Sequence, residues 1–309
     1  MFKRAILVTG FNRPDLLKFV LKKLSAAECV NVFIAIDGPR LSVSDDLDKV
    51  LACRELASGF NKANPERNRF LKSNLGCGLA MSSALDWFFK RVDSGIVLED
   101  DIDFSSSFLE TMDYLLSTLK DNAQIGSITG LNPISTLLPI DFFDHENSYI
   151  SHNFFSSWGW ATWRDRWQMY EFDLNRVSSN ISSFELIRKL GFLGWRFFTK
   201  KFDAVREGRV NTWDYQFLAM QLKYNLKCVA PIENQITNMG FRSDATHTKS
   251  AQDALEIIGS KSKLQRDFMP KILHSKRIDR LYLTKHYKVP TLRQSLRQAC
   301  NSRYLRYKT

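Results

Sequence analysis

Apolar residues come along this chain in short runs and in helical repeats, and the two kinds alternate. Residues 4–9 are apolar and β-prone, and Gly10, Asn12 and Pro14 end the run. From Pro14, the residues Leu16, Leu17, Val20, Leu21 and Leu24 recur at the spacing of one helix face. Pro14 suits the first helical position, and Asp15 suits the positive end of a helix. Residues 31–36 predict a second strand, closed by the turn signal Asp37-Gly38-Pro39. A third unit follows, with a strand over 68–72, the turn Ser73-Asn74-Leu75-Gly76-Cys77-Gly78, and a helix over 79–92. Residues 95–98 read as a buried strand running into Glu99-Asp100-Asp101, before a helix over 108–119 and a strand over 125–129.

Strands and helices in this order predict a mostly parallel sheet with helices on both faces. Ligands of such sheets bind outside the carboxyl ends of the strands. Asp37, Asn74 and the acids from Glu99 to Asp103 all fall at such ends, so one crevice can hold them. The second half is less regular. A strand over 149–155 leads into a tryptophan-dense stretch, a helix over 213–224 precedes a strand over 227–230, and a polar loop spans 237–248.

Length and composition narrow the picture. The 309 residues suit one compact domain with at most an appended segment, and 44% hydrophobic with 25% charged residues excludes wholesale disorder. No apolar run approaches the roughly 20 residues of a membrane span. Lys3 and Arg4 precede a short apolar stretch without a small-residue cleavage site, so no secretory leader is expected. Five scattered cysteines, without CxxC or Cys/His spacing, suggest reduced thiols and a cytoplasmic protein. The net charge of +11 is unevenly spread: residues 276–309 hold ten basic residues and one acid, Asp279, while the body is nearly neutral.

Four groups of residues could carry chemistry. Glu99, Asp100, Asp101 and Asp103 put four carboxylates in five positions. They repel one another unless a cation or hydrogen-bond donors offset the charge, and Mg²⁺ and Mn²⁺ prefer such oxygen ligands; the plain alternative is a solvated loop before a helix. Trp158, Trp160, Trp163 and Trp167 lie within ten residues, among Ser156, Ser157 and Gly159. Their rings could stack on sugars or could simply be core. Asp214, after Trp213, could be a general base in an aromatic setting or merely a stabilising acid in a first helical turn. The loop from Gly240 to Thr248 offers Arg242 and His247 to a diphosphate or its metal, although such a histidine is more often solvated.

Together these pieces resemble bacterial nucleotide-sugar-dependent glycosyltransferases with the GT-A fold, in particular the branch related to N-acetylglucosaminyltransferase I. The resemblance rests on the strand–Asn12-Arg13-Pro14–helix unit, Asp37-Gly38, Glu99-Asp100-Asp101, Ser157-Trp158-Gly159-Trp160, Trp213-Asp214 and the Gly240–Thr246-His247 loop. It implies a Rossmann-like mixed α/β sheet flanked by helices over residues 1–258, with a nucleotide-sugar half (1–130), an acceptor-side half (131–258) and a basic extension (259–309). By resemblance, Asp101 would bind Mn²⁺ or Mg²⁺, and Glu99 and Asp100 would orient the donor ribose and sugar. Asp37 would meet the nucleotide base, and Arg13 would lie near the phosphates. Asn74, Trp158, Gly159 and His247 complete the expected nucleotide-sugar contacts, and Asp214 would be the catalytic base of an inverting transfer.

The implied partners are a nucleoside-diphosphate sugar, UDP-sugar favoured, and a glycan or lipid-linked glycan acceptor of surface polysaccharide or lipopolysaccharide synthesis. An enzyme that makes the nucleotide sugar is the alternative; it would have a similar sheet and use Mg²⁺, but commonly opens with a glycine-rich basic loop that Thr9-Gly10-Phe11-Asn12-Arg13-Pro14 lacks. Nucleic-acid binding is disfavoured, because the basicity sits in the tail and the predicted crevice is acidic. A degenerate sugar-binding relative is disfavoured by the intact acids. The tail pairs its charge with Ile278, Tyr282, Leu283, Val289 and other apolar residues, and 291–303 suits a basic amphipathic helix. Peripheral attachment to the anionic inner face of the cell membrane is the expectation, with a solvated tail as its alternative.

Overall fold

The five apolar residues that define the first helix face are all buried in the computed structural model, which describes residues 4–29, 31–138, 148–178, 181–240, 269–290 and 294. The first half runs β1 (Ile6–Gly10), α1 (Pro14–Ala26), β2 (Val32–Ile36), α2 (Asp46–Phe60), β3 (Asn68–Phe70), α3 (Gly76–Phe89), β4 (Ser94–Glu99), β5 (Ile102–Phe104), α4 (Phe108–Thr118) and β6 (Ile125–Thr129). The second half runs β7 (Ser148–His152), β8 (Trp160–Trp163), α5 (Arg164–Trp167), α6 (Leu174–Ser178), α7 (Ser183–Arg206), α8 (Asp214–Lys223), β9 (Lys227–Pro231), β10 (Ile236–Asn238), β11 (Lys271–His274) and α9 (Lys276–Leu281).

Among the described residues, nine strands form one sheet in the order β11-β7-β9-β6-β8-β4-β1-β2-β3. β1 pairs in parallel with β2 and β4, and β2 with β3, so their carboxyl ends share one edge. β8 lies antiparallel between β4 and β6, with Ala161 opposite both Ile96 and Ile128. The sheet is therefore mixed α/β and Rossmann-like in its first half, with β5 and β10 forming a small second sheet. Alternate residues of β1 face opposite sides, as the pleat requires. Leu7 joins a core with Met81 and Phe88 of α3 and Phe217 of α8, whereas Ile6 and Val8 join one with α1, α2 and α4.

Two expectations change. The tryptophan stretch is largely structural: Trp160, Trp163 and Trp167 are buried. A strand in mid-sheet has both faces covered, so Trp160 stacks on Trp213 (5.4 Å between centroids) and meets Phe155 edge-on. Trp163 Nε1 donates to the Leu116 carbonyl (3.0 Å), and Trp167 Nε1 to Asp86 (2.8 Å).

The second concerns the C-terminal segment. β11 extends the sheet beside β7, and Ile278, Tyr282, Leu283 and Val289 are core residues. Tyr282 stacks on His152 at 3.9 Å, and Asp279 accepts hydrogen bonds from Asn153 N (2.9 Å) and Nδ2 (2.7 Å). Apolar residues assigned above to membrane contact are thus used for packing, and residues 271–289 fold with the body. The expected helix over 291–303 lies outside the described residues except Gln294. No helix among the described residues is long and apolar enough to cross a membrane.

Candidate functional site

A cavity of about 670 Å³ opens at the carboxyl ends of β1, β2 and β4. Its first wall carries Arg13, Glu99, Asp100 and Asp101. Asp37 and Asn74 lie beyond them, and Trp158 and Asp214 come from the second half of the chain. Gly159 is not part of the lining. Its backbone has φ +54°, and a Cβ there would sit 2.4 Å from Ile236 Cδ1, so its role in the fold is close packing. His247 lies outside the described residues.

The acid wall is built by the turn after β4, which cannot disperse its charge into solvent because Asp100 and Asp101 are buried. Arg13, just before α1, reaches back across β1 to both: Nη1 donates to Asp101 Oδ2 (2.8 Å) and Nη2 to Asp100 Oδ1. Burial opposes the guanidinium charge, but attraction from Asp100 and Asp101 outweighs it and holds Arg13 well above its ordinary pKa. Burial pushes Asp100 up, with Arg13 opposing. Burial, then repulsion from Asp101 and Asp100, pushes Glu99 up.

One arginine against three acids leaves excess negative charge, and Asp100 Oδ2 and Asp101 Oδ1 are buried without a hydrogen-bond partner. Unsatisfied carboxylate oxygens of this kind fit a hard divalent cation. Among the described residues no three His, Cys, Asp or Glu side chains converge on one point. Such a cation would therefore take one or two carboxylates here and complete its shell with phosphate and water oxygens, the habit of Mg²⁺. Gly240 keeps its backbone against this wall, since a Cβ would lie 2.3 Å from Asp101 Oδ2.

At the other end, Asp37 follows β2 and binds the loop before α3. Its Oδ1 accepts from Gly38 N (2.7 Å) and Leu75 N (3.0 Å), and its Oδ2 from Asn74 Nδ2 (2.9 Å). Burial raises the Asp37 pKa against these donors. α3 begins at Gly76, three residues earlier than the pattern predicts. Gly78 N donates to Asn211 Oδ1 (2.8 Å), and a Cβ on Gly78 would lie 2.6 Å from that atom. The glycines thus tie α3 to the segment that carries Asp214. Asp214 opens α8, with Oδ1 accepting from the Thr212 hydroxyl and from Tyr215 N (2.9 Å).

Sequence reasoning missed three lining cations. Arg69 donates to Ser83 Oγ (3.2 Å), and burial lowers its pKa. Lys201 of α7 has no ion-pair partner among the described residues; its Nζ lies 5.5 Å from the Phe197 ring centroid. Arg40 stacks over Phe11 at 5.2 Å and is held by Asp46 (Nη2–Oδ1, 2.9 Å), which Asn12 also meets (2.7 Å). A short strand and a long amphipathic helix gave Arg69 and Lys201 no local signal.

No family model and no curated protein matches the sequence. Among solved structures, a cytidylyltransferase from Leptospira borgpetersenii serovar Hardjo-bovis is 12% identical, with 67% of this chain and 74% of that one covered, at a TM-score of 0.29. A structure described as mannose-1-phosphate geranyltransferase from Thermus thermophilus is also 12% identical, with 76% and 75% covered, at a TM-score of 0.29. The first is named for nucleotidyl transfer, the alternative raised from the sequence. At these scores the likeness carries no argument for either reaction.

Proposed function

We propose that this chain is an inverting glycosyltransferase that moves a sugar from a nucleoside-diphosphate sugar, a UDP-sugar by preference, to a hydroxyl of a glycan or lipid-linked glycan. One observation carries the reading: a single cavity gathers Arg13, Asp37, the Glu99–Asp101 acids and, from more than a hundred residues away, Asp214. Nucleotidyl transfer accounts for the acid wall equally well. It gives no role to the further lining carboxylate Asp214, and the turn after β1 enters α1 within a few residues without forming a glycine-rich loop.

The chain's own groups divide the work. Asp37 accepts the imide N–H of a uracil, Arg69 supplies donors for its carbonyls, and Asn74, whose amide hydrogens go to Asp37 Oδ2 (2.9 Å) and the Gly38 carbonyl (3.0 Å), holds Asp37 in place. Asp101, with Asp100 beside it, would hold Mg²⁺ or Mn²⁺, and such an ion would offset the charge gathering on the departing diphosphate. Trp158 offers an apolar face to the donor sugar. Asp214 takes the proton from the acceptor hydroxyl as that oxygen attacks the sugar carbon from the face opposite the leaving group. Thr212 and the Tyr215 amide hold its Oδ1 in place.

Asp214→Asn tests this assignment. Transfer should fall at least about 100-fold, the lower range for a general base, while UDP binding by calorimetry stays close to the parent's. Near-parental transfer, or a product of retained anomeric configuration, contradicts the mechanism.

A further inference from the structure

α7 carries six cations and two acids over its 24 residues, and its two faces do different things. Leu186, Leu190, Gly194, Phe198 and Phe202, four residues apart, form the buried stripe. Two positions before each of these lie Phe184 and Arg188 on the segment before Gly191, and Phe192, Arg196 and Lys200 on the segment after it, all exposed. Phe184 is 75% exposed and Phe192 53%, unusual for aromatic rings on a helix with a well-formed core face. Among the described residues, Arg188, Arg196 and Lys200 have no carboxylate within ion-pair distance, so the face is unneutralised as well as apolar. Gly191, with φ +71° and ψ +167°, breaks the helix at mid-length, between the two exposed aromatic positions.

We propose that this face of α7 docks on an anionic lipid surface, with Phe184 and Phe192 entering the headgroup–acyl boundary and Arg188, Arg196 and Lys200 meeting headgroup phosphates. The choice of occupant follows from charge. Exposed aromatic rings beside unpaired cations supply the two kinds of group by which proteins hold to anionic bilayers, and phosphate headgroups supply the missing counter-charge. Ile278, Tyr282, Leu283 and Val289 of the C-terminal segment cannot serve instead, since they are buried. Lys201, next to this face, lines the cavity. Docking through α7 would bring the cavity mouth to the lipid surface, a geometry suited to an acceptor held there; the docking itself does not depend on the enzymatic reading.

Sedimentation with vesicles containing about 30% phosphatidylglycerol in phosphatidylcholine, at low salt, tests it. The full chain should sediment with these vesicles and not with pure phosphatidylcholine. Arg188→Ala with Arg196→Ala should weaken partitioning roughly 25-fold, about fivefold per cation. Phe184→Ser with Phe192→Ser should weaken it at least about tenfold. Both pairs are surface changes, and unchanged thermal midpoints will show that the fold is kept. Parental binding by both α7 pairs, loss of binding through Arg293→Ser with Arg297→Ser alone, or no sedimentation by the full chain overturns the proposal. A concentration-dependent dimer dissolved by the phenylalanine pair would assign the face to a second copy and overturn it too.

Discussion

Gly38 is where the Asp37 wall of the cavity, proposed to meet the nucleotide base, can be tested with a single methyl group. A Cβ there would lie 2.3 Å from the Ser73 carbonyl carbon, 2.5 Å from its oxygen and 2.6 Å from its Cα, all backbone atoms that no rotamer change can move. Restoring ordinary contact at 3.4 Å requires the loop at Ser73 to retreat by about 1 Å. The Leu75 N–Asp37 Oδ1 bond of 3.0 Å and the Asn74 Nδ2–Asp37 Oδ2 bond of 2.9 Å would then stretch beyond hydrogen-bonding reach. Bonds to a charged group contribute about 1.5–3 kcal/mol each, and water recovers part of that at a cavity wall. Gly38→Ala should therefore cost about 2–3 kcal/mol, divided between folding stability and UDP affinity. If most of it falls on binding, Kd rises about 100-fold. Calorimetric titration with UDP and a thermal melt measure the two shares. Gly59→Ala, in the last turn of α2, is the control: nothing lies within 4 Å of its Cβ position, and the substitution should leave stability unchanged or gain up to about 0.5 kcal/mol. A Gly38→Ala protein with parental stability and parental UDP affinity would refute the reasoning.

Three further outcomes follow from the site and the core. Asp101→Ala should abolish turnover with the fold intact, as should EDTA added to the parent; full activity in EDTA removes the divalent cation. Trp160→Ala should cost about 3–5 kcal/mol of stability as a core deletion, whereas Trp158→Ala should leave the melt nearly unchanged and raise the KM for donor. Burial pushes His152 down to about 3, so the unfolded chain takes up a proton through its ordinary range that the folded chain refuses. The stability this represents is complete above about pH 6.5 and declines by about 1.4 kcal/mol per unit as pH falls toward 3. The difference in denaturation free energy between parent and His152→Phe, compared at about pH 7.5 and pH 5, should shrink by about 2 kcal/mol; a pH-independent difference contradicts it.

Much of the first half of the fold was legible because α1 buries one face on a helical period and β1, β2, β4 and β6 are short, wholly or largely buried apolar runs. The Pro14 start of α1, the Asp37 strand end and β6 at Ile125–Thr129 fall where the pattern puts them. α2 was not legible: its inward residues are Val50, Cys53 and Ala57, too small to mark a stripe against flanking leucines that face outward. The sequence leaves the tryptophans of β8 open between core and ligand surface, because a fully buried strand and a sugar platform both call for aromatic residues, and only sheet position separates them. The C-terminal segment misled in the opposite sense. Its basic residues dominate the composition, while the apolar ones between them fill the core beside His152. Of the site, the acids and Asp214 could be read from strand and helix ends; Arg69 and Lys201 reach the cavity only through tertiary packing.

The nucleotide product tests the central claim most directly. The full chain is incubated with Mn²⁺ and each of a set of nucleotide sugars, with and without pyrophosphate, and the nucleotides are separated by anion exchange. Sugar transfer to acceptor or water predicts release of a nucleoside diphosphate, UDP foremost, without need of pyrophosphate and lost in Asp214→Asn. Formation of nucleoside triphosphate only when pyrophosphate is present, undiminished in Asp214→Asn, would identify nucleotidyl transfer and contradict the account.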